Sequence, residues 1–214
     1  MTQMADKFLD ADELLYLALD ANRRGRTEES LVTLKRAIDI APNDARIHYV
    51  LGSLYNQIGL IERAEKHLQH ATVFDPNMEN ARFELGWLYW SAGQADPAAE
   101  TWKAFDKHGK EHPLFLFKTG LLHLAKNEYV ECEKNLRAGL SVNGGNVPYG
   151  AEMAQLHKQV STYLTTLKAT TTESQAAAPK PETTPAPKAA APKTPPGGRR
   201  LEAYRQDDAE KKDD

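Results

Sequence analysis

The sequence predicts an all-α solenoid of about four helical hairpins, closed by one further helix and followed by a disordered tail. Three observations carry that prediction. Gly25, Gly59 and Gly93 stand 34 residues apart, as do Pro42 and Pro76, and Ala37 and Ala71. The small residues Ala18, Gly52, Gly86 and Gly120 keep the same spacing. The segment Leu51 to Pro76, LGSLYNQIGLIERAEKHLQHATVFDP, reads as two amphipathic helices joined by a glycine turn and closed by proline. A fixed period of this length marks stacked hairpins, each of which buries its apolar face only against its neighbours.

Taken in order, residues 1–10 form an N-terminal extension with Phe8 and Leu9 as apolar anchors, and Asp10 or Asp12 is placed to cap the first helix. Unit 1 spans 11–44 and carries Leu17, Ala18, Gly25, Leu34, Ala37 and Pro42. Thr27 is expected as the N-cap of its second helix, with Glu28 and Glu29 in the first turn, where the helix dipole favours acids. Unit 2, 45–78, is the most regular. Unit 3, 79–112, repeats the pattern with Leu85, Gly86, Tyr89, Gly93, Ala98 and Trp102, and Asp96 with Pro97 reads as cap and first-turn proline. It departs at Phe105, where Ala37 and Ala71 stand in units 1 and 2, and its proline is delayed to Pro113. Altered packing is expected there. Unit 4, 113–146, is degenerate: it keeps Gly120, Tyr129, Cys132 and Leu136, puts Asn127 at the turn, and departs at Thr119, His123 and Gly139.

The spacing has a physical cause. Backbones approach closely only where side chains are small, so Ala18, Gly52, Gly86 and Gly120 on first helices should face Ser30, Ala64, Ala98 and Cys132 on second helices. Leu34, Leu68, Trp102 and Leu136 then plug the space between hairpins. The turns need a residue tolerant of positive φ.

Residues 147–168 are expected as a closing helix, with Met153, Leu156, Val160, Tyr163, Leu164 and Leu167 on one face and Gln155, Lys158 and Gln159 on the other. Residues 169–214 are rich in Ala, Pro, Thr and Lys and are expected to stay disordered, because so little apolar bulk cannot offset the entropy of ordering. Near the end, Leu201 and Tyr204 interrupt a mixed-charge run and mark a tethered motif, set against the plainer reading of a solvated tail.

Composition narrows the function classes. A net charge of -3 without a basic stripe does not point to nucleic acid. A single cysteine excludes an intrachain disulfide and fits a reducing, cytoplasmic setting. Neither a secretory leader nor an apolar membrane span is visible, so no direct membrane insertion is expected. No phosphate loop, HExxH, GxSxG or CxxC pattern is present, so no enzyme, cofactor or metal is expected. His67 with His70 and His108 with His112 read as solvated helix faces, and Cys132 reads as a small residue the repeat demands.

The pattern resembles the tetratricopeptide repeat (TPR) family over residues 11 to 168, most fully in unit 2 through Leu51, Gly52, Tyr55, Gly59, Ala64, Leu68, Ala71 and Pro76. The resemblance implies a right-handed TPR solenoid whose concave wall comes mainly from the first helix of each unit. It further implies a non-enzymatic protein-protein interaction module, an adaptor or scaffold that takes an extended or helical apolar segment of a partner. Transferred to this sequence, the wall includes Asn22, Ser53 and Gln57, and its groove residues are Tyr49, Asn56, Phe83, Trp87, Trp90, Phe117 and Leu121. A second copy, or the chain's own tail through Leu201 and Tyr204, would be further occupants. The basic clamp of members that bind chaperone C-termini is missing, since Leu15, Leu19, Tyr49, Val50 and Ser53 stand at those positions. A general similarity to the TPR-type secretion chaperones of bacteria makes a dedicated chaperone for a secretion- or assembly-system subunit the alternative. Phe83, Trp87 and Trp90 share one helix face by spacing alone, and two readings stay open: a peptide groove, or rings buried between adjacent first helices.

Overall fold

The computed structural model describes residues 9–143 and 149–174. The first eight residues and all of 175–214, with Leu201 and Tyr204 and most of the expected disordered tail, lie outside the described residues. All the regular structure among the described residues is helical. The first-unit helices are α1 (Ala11–Arg23) and α2 (Thr27–Ile40), those of the second are α3 (Ala45–Gln57) and α4 (Ile61–Phe74), and α5 (Glu79–Ser91) opens the third. After it come α6 (Ala95–Trp102), a 3-10 turn (Lys103–His108), α7 (Pro113–Ala125), α8 (Tyr129–Asn143) and α9 (Gly150–Ser174). The described residues divide into two compact units, one up to Leu88 and one from Tyr89.

Within each hairpin the turn follows one rule. Gly25, Gly59 and Gly93 adopt φ of 75, 78 and 78°, and Asn127 takes the same left-handed conformation at 61°. The next residue then donates its backbone N–H back to the carbonyl five residues earlier: Arg26 to Ala21, Leu60 to Tyr55, Gln94 to Tyr89 and Glu128 to His123, each at 2.9 Å. These bonds occupy carbonyls that the helix end leaves without partners. They also decide where the second helix begins. Arg26 and Gln94 are the N-caps, without a capping bond from the side chain, so Thr27 and Asp96 lie inside the helix and do not cap it as the sequence suggests. At the first helix the expectation holds: Asp10 and Glu13 form a reciprocal capping box.

The close-approach positions are buried as the repeat requires. Ser30 donates its hydroxyl to the Ala18 carbonyl at 2.8 Å, and a Cβ on Gly52 would lie 2.7 Å from Leu68 Cγ. Leu34, Leu68, Trp102 and Leu136 are fully enclosed. Leu17 is different: it stands in register with the buried Leu51 and Leu85, yet is 44% exposed. Repeat register therefore assigns a position in the hairpin, while burial depends on what lies alongside it.

The irregularities of the compact unit from Tyr89 have a common origin in residue size. Phe105 is buried where the repeat expects a small side chain, and α6 stops at Trp102, giving way to the 3-10 turn that carries the ring. Lys118, almost wholly buried, reaches back from α7 to donate to the Trp102 carbonyl at 3.4 Å and to the Asp106 carboxylate. At the equivalent place on α8, Gly139 makes room, because a Cβ there would sit 2.5 Å from the Phe117 ring. The closing helix buries Met153, Leu156 and Val160, while Gln155, Lys158 and Gln159 face outward as expected. It also runs on to Ser174, past the boundary drawn at 168, because no proline intervenes before Pro179.

Candidate functional site: the first-helix wall

On α3, Tyr49, Ser53, Asn56 and Gln57 recur at helical spacing and share one face. Ser53 donates its hydroxyl to Glu84 Oε2 at 2.6 Å, and the Asn56 amide donates to Glu84 Oε1 at 3.3 Å. Glu84 is only 1% exposed, so α3 and α5 meet through a buried carboxylate held by two neutral donors. Sequence reasoning did not find Glu84. The available signal was its register, since it stands 34 residues after Val50 and 34 before Lys118, both buried, although Tyr16 in the same register is exposed.

One repeat earlier the same wall is incomplete. Asn22 is in register with Asn56, but Val50 occupies the place of Glu84 and offers no hydrogen-bonding group. The buried Asn22 Oδ1 has no hydrogen-bond partner, and neither does the buried Gln57 Oε1. Both belong to residues the sequence analysis set on the wall. At its outer end, Arg46 bridges Asp44 at 2.6 Å and Asp12 at 2.5 Å. Burial works to raise the Asp44 carboxyl pKa, but the Arg46 bonds and charge outweigh it and hold the group below its ordinary value.

In the second unit the wall is aromatic and aliphatic. Trp90 donates its indole N–H to the Leu121 carbonyl at 2.8 Å, tying the ring to the backbone of α7, on which Phe117 and Leu121 stand one turn apart. Of the seven groove residues taken from the sequence, Asn56 is half-buried. Tyr49, Phe83, Trp87, Trp90, Phe117 and Leu121 are each no more than 5% exposed. These rings are core of the full chain. Accessible polar edges of the wall come from Asn56 and Gln57.

The histidines depart from expectation. His67 and His70 are not on a solvated face, because His48 on α3 packs between them: its Nδ1 lies 3.1 Å from His67 Nδ1, and its ring centroid 4.8 Å from that of His70. Burial, followed by the nearby positive charges, lowers the His67 pKa to about 4. A polar residue at 48, where Leu14 and Leu116 stand in other units, was the signal available in the sequence. His108 and His112 stack at 4.4 Å, and His112 caps α7 by accepting from the Leu114 N–H at 3.3 Å. Cys132 is buried, and burial with Glu133 alongside pushes its thiol up to about 12, so it is inert as a nucleophile. Among the described residues no group of three donors is placed to hold a metal ion, and no helix is long and apolar enough to cross a membrane.

Comparison with known proteins completes the assignment. Residues 22–59 match the TPR repeat family, and residues 45–78 match the tetratricopeptide repeat family. Residues 22–78 thus carry tetratricopeptide repeats. A similar fold recurs in solved structures. MamA from Desulfovibrio magneticus RS-1 aligns with a TM-score of 0.54 at 17% identity, over 74% of this chain and 93% of that one. The pilF protein of Pseudomonas aeruginosa aligns at 0.55 and 21% identity, over 79% and 78%. Among curated proteins, the BBSome complex member BBS4 of Bos taurus is 25% identical over 138 residues. That match covers 58% of this chain and 27% of BBS4, so the chain spans about a quarter of that relative. The repeats and the similar folds support a protein-protein interaction module.

Proposed function

We propose that the first-helix wall binds an extended or helical segment of a partner protein. The polar groups of Asn22, Asn56 and Gln57 read its backbone, backed in the same unit by the buried Tyr49, Phe83 and Trp87, while Trp90, Phe117 and Leu121 are the corresponding buried positions of the unit from Tyr89. The observation that carries this reading is the pair of buried acceptors, Asn22 Oδ1 and Gln57 Oε1, that have no hydrogen-bond partner. Buried polar atoms are rarely left unpaired, and a peptide backbone supplies the N–H donors they lack. The partner segment is expected to carry aliphatic or aromatic side chains. Gross burial contributes roughly 1.5–3 kcal/mol per such side chain, against an association cost of roughly 4–15 kcal/mol. Moderate affinity follows. A second copy or the chain's own tail, through Leu201 and Tyr204, would meet the same wall. A reducing, cytoplasmic setting belongs to the same proposal.

The test is capture of partners by the full chain and by a variant combining Asn22→Ala, Asn56→Ala and Gln57→Ala, with helicity checked by circular dichroism. Loss of capture by a folded variant supports the wall assignment, and equal capture by both removes it. Co-expression then separates a scaffold from a dedicated chaperone: a chaperone's client becomes insoluble when this chain is withheld.

A further inference from the structure

Three of the seven histidines gather in the second hairpin, and no other hairpin repeats them: the residues in register with His48 are Leu14, Arg82 and Leu116, and those in register with His67 are Thr33 and Thr101. His48 Nε2 lies 2.9 Å from the Pro42 carbonyl, which can only accept, so that nitrogen carries a proton. Neutral His48 then presents the lone pair of Nδ1, and His67 donates its Nδ1–H to it across 3.1 Å. One added proton can be accommodated, because a charged His67 still donates. A second puts two N–H groups head to head and two positive charges side by side.

The surroundings make protons unwelcome. Arg63 and Lys66 on α4 add positive charge near His67, and His70 stands against both rings. Tyr55 stacks on His67 at 5.4 Å, and Phe74 packs at 5.3 Å from His48. Asp44 is the acid that acts on His48, and it is already bonded to Arg46. The other helices packed on α3 are α2, which carries Lys35, Arg36 and Asp39, and α5, which carries Glu79, Arg82 and Glu84.

We propose that His48 and His67, with His70 packed against both rings, form an acid-sensitive latch that holds α3 against α4 while His48 and His67 are neutral and releases the second hairpin when they are protonated. Because α3 also carries Tyr49, Ser53 and Asn56, opening the latch withdraws the middle of the wall. That consequence rests on the binding reading above, whereas the latch itself does not. The folded hairpin holds the His67 pKa near 4 against an ordinary 6.5, and burial also lowers that of His48. A depressed histidine favours the folded state while neutral, so the contribution is complete above 6.5 and is lost as pH falls from 6.5 towards 4.

The experiment is urea unfolding of the full chain at pH 7.5 and at pH 5.0, for wild type and for His67→Gln, with an NMR titration of the wild-type imidazoles. Glutamine can still donate to His48 Nδ1 but does not titrate. The full His67 shift corresponds to a rise of roughly thirtyfold in the unfolding constant at pH 5, and about tenfold after solvent screening of a half-buried ring. Wild type should show that extra loss and His67→Gln should not, with His48 and His67 titrating below the ordinary value. Equal acid sensitivity of the two proteins, or imidazoles titrating at the ordinary value, overturns the latch. If His67→Gln fails to fold, the wild-type titration decides alone. If the latch is confirmed but partner capture is the same at pH 7.5 and pH 5.0, the wall reading fails and the latch stands.

Discussion

The two halves of the wall solve one packing problem in opposite ways. In the unit ending at Leu88, neighbouring first helices meet through a buried carboxylate, with Ser53 and Asn56 holding Glu84. In the unit beginning at Tyr89, they meet through an indole bonded to a carbonyl, Trp90 to Leu121, with Lys118 turned away toward the frayed end of α6. The register position is the same: Val50, Glu84 and Lys118 stand 34 residues apart. The difference teaches that the repeat dictates a position and not its chemistry: the slot is buried at Val50, Glu84 and Lys118, while Tyr16 in the same register is half exposed. A charge in that slot is tolerated where local donors or acceptors reach it, the carboxylate taking two donors and the ammonium taking a helix-end carbonyl and an acid.

This comparison can be broken most forcefully in the second unit. Phe117→Ala should cost about 3–5 kcal/mol in urea unfolding, since the ring is fully enclosed and seated on Gly139. Gly139→Ala should cost about 1–3 kcal/mol by driving a Cβ into that ring, and adding Phe117→Leu should recover part of the loss. Additive losses in that pair would mean the glycine is not there for the ring. Next comes the slot itself. Lys118→Ala should cost about 2–3 kcal/mol by stripping the Trp102 carbonyl of its donor, whereas Lys118→Met, of similar volume, should cost less.

In the first unit Glu84→Ala should cost about 1–3 kcal/mol, because Ser53 and Asn56 lose their acceptor inside the protein. Glu84→Val with Ser53→Ala imitates the Val50 slot and should be less damaging than the sum of the single changes. Strict additivity would show that the Ser53 bond carries nothing. The smallest effects belong to the turns. Gly59→Ala should cost about 1 kcal/mol, since only a left-handed residue fits at φ 78°, while Asn127→Gly should stay within about 0.5 kcal/mol.

Much of the fold was legible because hairpin geometry is local. Left-handed turns need Gly or Asn, close approach needs Ala, Gly, Ser or Cys, and each requirement leaves a residue at a fixed offset. The caps were less legible: Thr27 and Asp96 look like N-caps by type, but the backbone bonds that follow Gly25 and Gly93 set the helix start one and two residues earlier. The candidate wall was legible as a set of positions and not as a surface. Trp87 and Trp90 share a face by spacing, yet whether a ring lines a groove or fills a core depends on what packs over it.

By itself, then, the sequence determined the all-α class, the 34-residue hairpins and their turns, because these follow from interactions within a few helical turns. Only the tertiary structure decided that Glu84 is held by groups 28 and 31 residues away, and that His48 meets His67 across 19. Such contacts depend on how far one helix is turned against the next, and side-chain volume sets that rotation. Phe105 shows how one bulky residue can change it.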